Sequence, residues 1–319
     1  MPLNLQYLRG PRLKERLIET DETGKRFYSW WDDELIMDCR YQTALDGKLR
    51  CLPSMSGSWS RGFSDAGCKT PLAVDRTEPR GACPAGKYFV SLDESQCPAR
   101  TRVELLGDEV TPGSYYYLEG GECKSSSAAG AKLYAITGEA APTEFVAGTI
   151  DKGEAKDGLA PTFVLGEDGS KGFHGLIDTA HGDARCSFTQ AMDGETRCLP
   201  RRGDTALVLE THFTDDGCSS YLAQAINSEC VGSYGTRYDD RGSCAPKFSI
   251  HPLAGQATGD FYTGEPGSCT PTGQSGGPGY FKTGAEIPSS EFPSAAAYAL
   301  PEGNTERIQQ YQRCLLYTS

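Results

Sequence analysis

The sequence predicts an all-β fold, a six-bladed β-propeller built from two tandem repeats of about 147 residues. Three observations predict it. Glycine is abundant, 38 of 319 residues, beside 19 prolines and 16 tyrosines. With no collagen period, such a chain reads as short strands joined by tight turns. All the cysteines but Cys314 form two sets of six, at 39, 51, 68, 83, 97 and 123 and at 186, 198, 218, 230, 244 and 269, with nearly the same spacing. A repeat of this length divides into three units of about 49 residues, the size of a four-stranded blade. The same counts also fit two tandem disulfide-stapled β-domains.

In chain order, residues 1–19 form an N-terminal segment that closes the ring. Residues 20–166 are the first repeat of three blades, and 167–313 the second. Closure removes exposed sheet edges. Strand-like runs bounded by Gly, Pro, Asp or Ser lie at 26–31, 87–92, 102–106, 114–118, 132–136 and 162–165. The second repeat supplies 172–177, 207–213, 247–251 and 260–263. Helical candidates occupy 13–19 and 305–313. Residues 314–319 read as a cloning scar, the translation of a transposon mosaic end from an environmental library. The start, MPLNLQYLRGPRLKERLIE, has no apolar core of a secretory signal.

The duplication extends beyond cysteine. CRYQTALDGKLRCLP matches CSFTQAMDGETRCLP, and GFSDAGC matches HFTDDGC. An even number of cysteines per repeat, without CxxC pairs, reads as disulfides and not as zinc ribbons. Asp46-Gly47 and Asp193-Gly194 suit hairpin turns that set Cys39 opposite Cys51 and Cys186 opposite Cys198. Six cysteines allow 15 connectivities. Sequential pairing would add 68–83, 97–123, 218–230 and 244–269, with Cys314 free. Persisting disulfides need an oxidising compartment, so export is expected, with the leader missing from this chain.

The 31 basic and 43 acidic residues give a net charge of −12. With no basic stripe, that balance excludes a nucleic-acid partner. No apolar run is long enough to span a membrane. A small-molecule substrate is the expected partner, and the oligomeric state is left open.

The stretch FYSWWDDE…CRYQTALDGKLRCLP, its copy FHGLIDTAHGDARCSFTQAMDGETRCLP and the TEF and SEF pairs at 143–145 and 290–292 resemble cysteine-rich exported bacterial proteins and lipoproteins. Those proteins carry a tandem module of unknown function. The resemblance implies export and a Cys-rich β fold, and no particular chemistry.

All four histidines, His174, His181, His212 and His251, lie in the second repeat. Tyr28 aligns with His174 and Gly62 with His212, so one side of the duplication has gained imidazoles. His174, Asp178 and His181 form an H-x-x-x-D-x-x-H string, and in an extended segment the first two share a face. These residues, with His212, are the candidate catalytic group. Ordinary turn or surface histidines are the bland alternative.

Carboxylates shared by both repeats are the second class. Asp46/Asp193 and Asp65/Asp215 sit beside Gly as turn formers. Asp32, Asp178, Glu144 and Glu291 have no such role in sequence and are candidate ligands for Ca²⁺, with Zn²⁺ a poorer match. Their alternative role is to accept backbone N–H bonds. The loop Gly273-Gln274-Ser275-Gly276-Gly277-Pro278 resembles the GDSGGP nucleophile loop of chymotrypsin-like proteases. Its Asp is replaced by Gln274, and the corresponding SSSAAGAK of the first repeat is linker-like. Ser275 is therefore a minor candidate nucleophile. The leading expectation is a secreted hydrolase of small esters, lactones or phosphotriesters, metal- or His/Asp-assisted. The alternative is a non-catalytic cell-surface or extracellular binding module.

Overall fold

The computed structural model describes residues 7–20, 24–54, 58–76, 86–93, 96, 98–201, 204–225, 232–239, 246–265, 267–277 and 279–295. These residues are all-β, with two short 3-10 turns, Pro142–Glu144 and Ser289–Glu291. Among them no helix is long and apolar enough to cross a membrane.

The first four strands, β1 (Leu13–Thr20), β2 (Gly24–Asp32), β3 (Met37–Thr43) and β4 (Leu49–Pro53), form an antiparallel meander. The chain then leaves this sheet for seven strands: β5 (Trp59–Phe63), β6 (Pro71–Asp75), β7 (Tyr88–Asp93), β8 (Arg100–Val110), β9 (Ser114–Glu119), β10 (Glu122–Ser127) and β11 (Lys132–Glu139). It returns with β12 (Ala147–Lys152), which pairs with β4 at Ala147↔Arg50. The meander resumes through β13 (Leu159–Gly166), β14 (Lys171–Asp178), β15 (Ala184–Gln190) and β16 (Thr196–Pro200), completing a nine-stranded sheet. A second excursion follows: β17 (Ala206–Phe213), β18 (Tyr221–Gln224), β19 (Tyr234–Asp239), β20 (Lys247–Gln256), β21 (Asp260–Thr263), β22 (Thr270–Ser275) and β23 (Tyr280–Thr283). The chain then comes back to the main sheet, where Ser294 bridges Arg197.

Each excursion folds as a seven-stranded sheet. In the second, β17, β18, β23, β20 and β19 close into a five-stranded barrel, and the closing step β17/β19 is parallel. The first has the matching neighbours β5-β6-β11-β8-β7, with no β5/β7 ladder among the described residues. Side chains cross that seam instead: Arg61 donates to Ser91 Oγ at 3.4 Å and pairs with Glu104. The described strands thus form three sheets of nine, seven and seven strands, not six four-stranded blades. Division of the repeat by length alone gives the blade count. Long-range pairing of β4 with β12 overrides it, because it joins the hairpins on either side of an entire excursion.

The strand-like runs all fall on strands, but 13–19, expected as helix, is β1. Leu13 is fully buried opposite Asp32, its N–H donates to Asp168 Oδ2 at 2.7 Å, and eight register pairs tie β1 to β2. The helical candidate 305–313 and the tail 314–319 lie outside the described residues.

Cys39–Cys51 and Cys186–Cys198 pair across the two hairpins as expected. The other expected links are corrected: Cys68 bonds Cys123, and Cys218 bonds Cys269. The β9/β10 and β21/β22 hairpins carry Cys123 and Cys269 to the turns that hold Cys68 and Cys218, an approach between segments far apart in sequence. Cys83, Cys97, Cys230, Cys244 and Cys314 lie outside the described residues. Non-reducing peptide mapping is expected to recover 68–123 and 218–269; recovery of 68–83 would contradict this arrangement. The four disulfides among the described residues suit an oxidising, exported setting.

Equivalent apolar clusters join the main sheet to each excursion. Ala44, Leu52, Tyr88, Val103 and Phe145 form the first. Ala191, Leu199, Ile250 and Phe292, with Tyr234 packed on them, form the second. Each buried Phe contributes about 1.5–3 kcal/mol by removal from water. A third cluster, Leu13, Trp30, Cys39, Cys51 and Val146, fills the curl of the main sheet. There Trp30 lies against Gly172, where a Cβ would sit 2.6 Å from the indole. Gly172→Ala is therefore expected to destabilise the protein by about 1–3 kcal/mol through overpacking, read by denaturant unfolding.

Candidate functional site

Asp32 and Asp178 close two corners of matching geometry. Asp32 ends β2 opposite Leu13, and Asp178 ends β14 opposite Leu159. Both side chains are fully buried. Each carboxylate organises the turn that follows. Asp32 Oδ1 accepts the N–H groups of Glu34 and Leu35 at 3.0 and 3.1 Å. Asp178 Oδ1 accepts those of Ala180 and His181 at 3.0 and 3.3 Å.

A buried carboxylate needs a cationic or strongly donating partner as well. In the first corner it is Arg12, whose Nε and Nη2 grip Asp32 at 2.9 and 2.8 Å. The bond to Asp32 is the main cause that raises the Arg12 pKa, holding the guanidinium charged. Arg12 also donates to the Glu144 carbonyl at 2.7 Å. In the second corner, the residue before Leu159 is Gly158, which carries no side chain. His181 takes over: its Nδ1 lies 2.7 Å from Asp178 Oδ2, and its ring stacks on Phe292 at 4.4 Å. A carboxylate only accepts, so Nδ1 carries the proton. Tyr234 caps the turn by donating to the His181 carbonyl at 3.2 Å.

The structure therefore brings Asp178 and His181 together, with His181 just beyond β14. His174 is half-buried in β14. No hydrogen bond or ring contact joins it to His181 among the described residues. His212 sits in β17, where its Nδ1 is 3.1 Å from the Thr211 hydroxyl. The register also revises its alignment. Gly62 lies opposite Leu72, and Leu209 opposite Leu222; residues 210–212 are an irregularity before Phe213 resumes pairing with Tyr221. His212 is thus part of an insertion in β17 and does not occupy the place of Gly62.

Glu144 and Glu291 are exposed in the two 3-10 turns. Glu144 accepts the Ala141 N–H at 3.0 Å, a capping role. Asp32, Asp178, Glu144 and Glu291 do not converge. Among the described residues no three His, Cys, Asp or Glu side chains are grouped to hold a metal ion. The oxygens of Asp32 and Asp178 already accept amides and the Arg12 or His181 donors. Ser275 is exposed on β22, with no hydrogen bond to a histidine among the described residues.

His251, outside the candidate set, is the most buried imidazole, at 4% exposure in β20. Its Nδ1–H donates to the Gly284 carbonyl at 3.2 Å, which leaves Nε2 to accept from the Ser249 hydroxyl at 3.3 Å. This is a serine–histidine pairing, but Ser249 is only 2% exposed, and no substrate reaches it. Burial first, then Arg237, lowers the His251 pKa, against the opposing pull of Gly284 and Glu286. His174 is lowered by burial, then by Arg185 and Arg201. The unfolded chain binds a proton at each site near pH 6.5, where the folded chain resists it. Stability is therefore expected to fall as pH drops below about 6.5. His251→Gln is expected to reduce that slope, measured by urea unfolding at about pH 7.5 and 5.5.

A third place was not legible from motifs. An open cleft of about 540 Å³ lies on the face of β5, β9 and β10, lined by Arg61, Arg76, Tyr115, Tyr117 and Ser126 among others. Arg76 donates to the Tyr115 hydroxyl at 3.0 Å, with its guanidinium 5.8 Å from that ring's centroid. Burial raises the Tyr115 pKa, but bonds from Arg76 and Ser126 outweigh it and leave the phenol below its ordinary value. The second excursion has an arginine–phenol contact elsewhere, Arg237 donating to the Tyr221 hydroxyl at 2.9 Å, but does not repeat the arrangement at the matching places. Arg61, opposite Ala73, corresponds to Val208, opposite Ala223. The pairs Phe63↔Tyr116 and Phe213↔Tyr262 place Phe261 and Thr263 where Tyr115 and Tyr117 stand. The signal in sequence was this cross-repeat difference in non-histidine residues.

No family model, curated protein or solved structure matches the chain.

Proposed function

We propose that the protein is an exported, non-catalytic binding module whose ligand seat is the cleft on β5, β9 and β10. The observation that carries this reading is the asymmetry of the two excursions. At the matching places the second carries Val208 on β17 and Phe261 and Thr263 on β21, so the Arg61 guanidinium and the hydroxyls of Tyr115 and Tyr117 are not demanded by the strand topology, although the Tyr115 ring itself packs in the core with Leu72, Val74 and Leu133. Aromatic faces with a few placed polar groups in an open concavity are the usual make-up of a small-ligand seat. Four disulfides supply durability outside the cell. Screening an array of small acids and saccharides against wild type, Arg76→Gln and Tyr117→Ala tests it. A ligand held by wild type and lost by both variants is expected. Ligands held equally by all three would overturn the reading.

A hydrolase of small esters, lactones or phosphotriesters is the second reading, favoured by the 2.7 Å contact of Asp178 with His181. In it, Asp178 orients the ring and Nε2 takes a proton from water. The equivalent corner places the same carboxylate against Arg12, which performs no such chemistry, and this weighs towards a structural role. The metal-assisted form, with Ca²⁺ or Zn²⁺ on Asp32, Asp178, Glu144 and Glu291, would require those oxygens to exchange their present partners. An ester, lactone and phosphotriester panel with and without EDTA, repeated on His181→Ala, separates the readings. Turnover lost in His181→Ala supports the hydrolase; inertness on every substrate supports the binding module.

A further inference from the structure

The geometry points to a carboxylate borne on a six-membered ring as the ligand of this cleft, with Arg76 holding the carboxylate and Tyr117 supplying the platform for the ring. The inference rests on the binding reading above and specifies its ligand. Of the two guanidiniums, Arg61 is matched by the buried carboxylate of Glu104. Arg76 is held by a neutral phenol, so its charge is not consumed by the contact that positions it. A guanidinium carries five N–H donors in a rigid fork, and the bond to Tyr115 leaves donors for a bidentate carboxylate. Anchoring on Tyr115 also lowers the ordering cost of binding.

The remaining surface defines what carries that carboxylate. Tyr117 is half-buried and shares the β9 face of Tyr115, two residues away, so its ring lies on the same side of the strand as the phenol that anchors Arg76. Ser60 and Ser126 add hydroxyls at the same face. The lining comes from side chains on adjacent strands. β9 is paired along its length with β10 and meets β5 at Phe63↔Tyr116. The net charge of −12 opposes a long polyanion, which favours a compact, singly charged ligand.

Isothermal titration calorimetry with glucuronate, benzoate, glucose and tetraglutamate tests this on wild type, Arg76→Gln and Tyr117→Ala. Unfolding midpoints of both variants are checked first: Arg76 is exposed, so Arg76→Gln is expected to keep the wild-type midpoint, whereas Tyr117 packs on the cluster of Leu72, Val74, Tyr115 and Leu133, so Tyr117→Ala is expected to lower it and binding is read well below that midpoint. Glucuronate or benzoate is expected to bind at least tenfold tighter than glucose, and each variant to weaken that ligand at least tenfold. Which of the two binds better distinguishes a sugar acid from an aromatic acid. Glucose binding as well as glucuronate, with Arg76→Gln unaffected and Tyr117→Ala weakened, overturns the carboxylate while the cleft stands. Tetraglutamate binding tighter than every ring probe overturns the ring. Absence of binding by all four probes, or binding indifferent to both substitutions, overturns the ligand assignment and the cleft reading together.

Discussion

Arg12→Ala is expected to destabilise the protein by about 3–5 kcal/mol, the usual cost of removing one partner from a buried ion pair. Asp32 is fully buried, and Arg12 is its cation. Without the guanidinium, the carboxylate keeps only the Glu34 and Leu35 amides. The variant also loses the bond from Arg12 to the Glu144 carbonyl, which ties the start of β1 to the turn before β12. Replacing both partners, Arg12→Met with Asp32→Leu, is expected to cost less than the single change, since no buried charge is then stranded. Urea unfolding of the three variants measures the difference. His181→Ala provides the matching test in the second corner and is expected to be destabilising in the same sense. A single Arg12→Ala variant as stable as wild type would show that Asp32 finds another partner.

Loss of the Cys68–Cys123 link is expected to cost about 4 kcal/mol, against about 3 kcal/mol for Cys39–Cys51, because chain entropy released on cleavage grows with the enclosed loop. The separations are 55 and 12 residues. The longer link ties the turn after β5 to the β9/β10 hairpin, beside the cleft. Paired serine substitutions, Cys68→Ser with Cys123→Ser, are expected to lower thermal stability more than the hairpin pair does. They are also expected to weaken any ligand held by Arg76 and Tyr117. An equal effect of the two paired substitutions would mean that native-state contacts, not loop length, govern the difference.

Asp178 and His181 lie three residues apart, so one turn suffices to bring them together, and the string was readable. His174 and His212 were grouped with them through their absence from the first repeat, but strand register separates His212 into an insertion. Asp32 was legible as a carboxylate in matching stretches without Gly beside it, and in the structure it accepts the Glu34 and Leu35 N–H groups. Its partner Arg12 was invisible, because it stands just before β1, 20 residues from Asp32, and only the pairing of β1 with β2 brings the two together. Leu13–Glu19 alternates poorly, and only pairing with β2 settles it as strand.

Local sequence alone determined the β character of the chain, the Asp-Gly hairpins and the two short disulfides, because turn geometry and hydrogen bonding over a few residues decide them. It also displayed the matching cysteine spacing of the two halves. Only the tertiary structure decided that β4 pairs with β12, that Cys68 reaches Cys123, and that Arg76 lies over Tyr115. Each of these contacts joins segments tens of residues apart. Their loop-closure cost is offset by burial and pairing summed over whole sheets, a balance that no local pattern encodes.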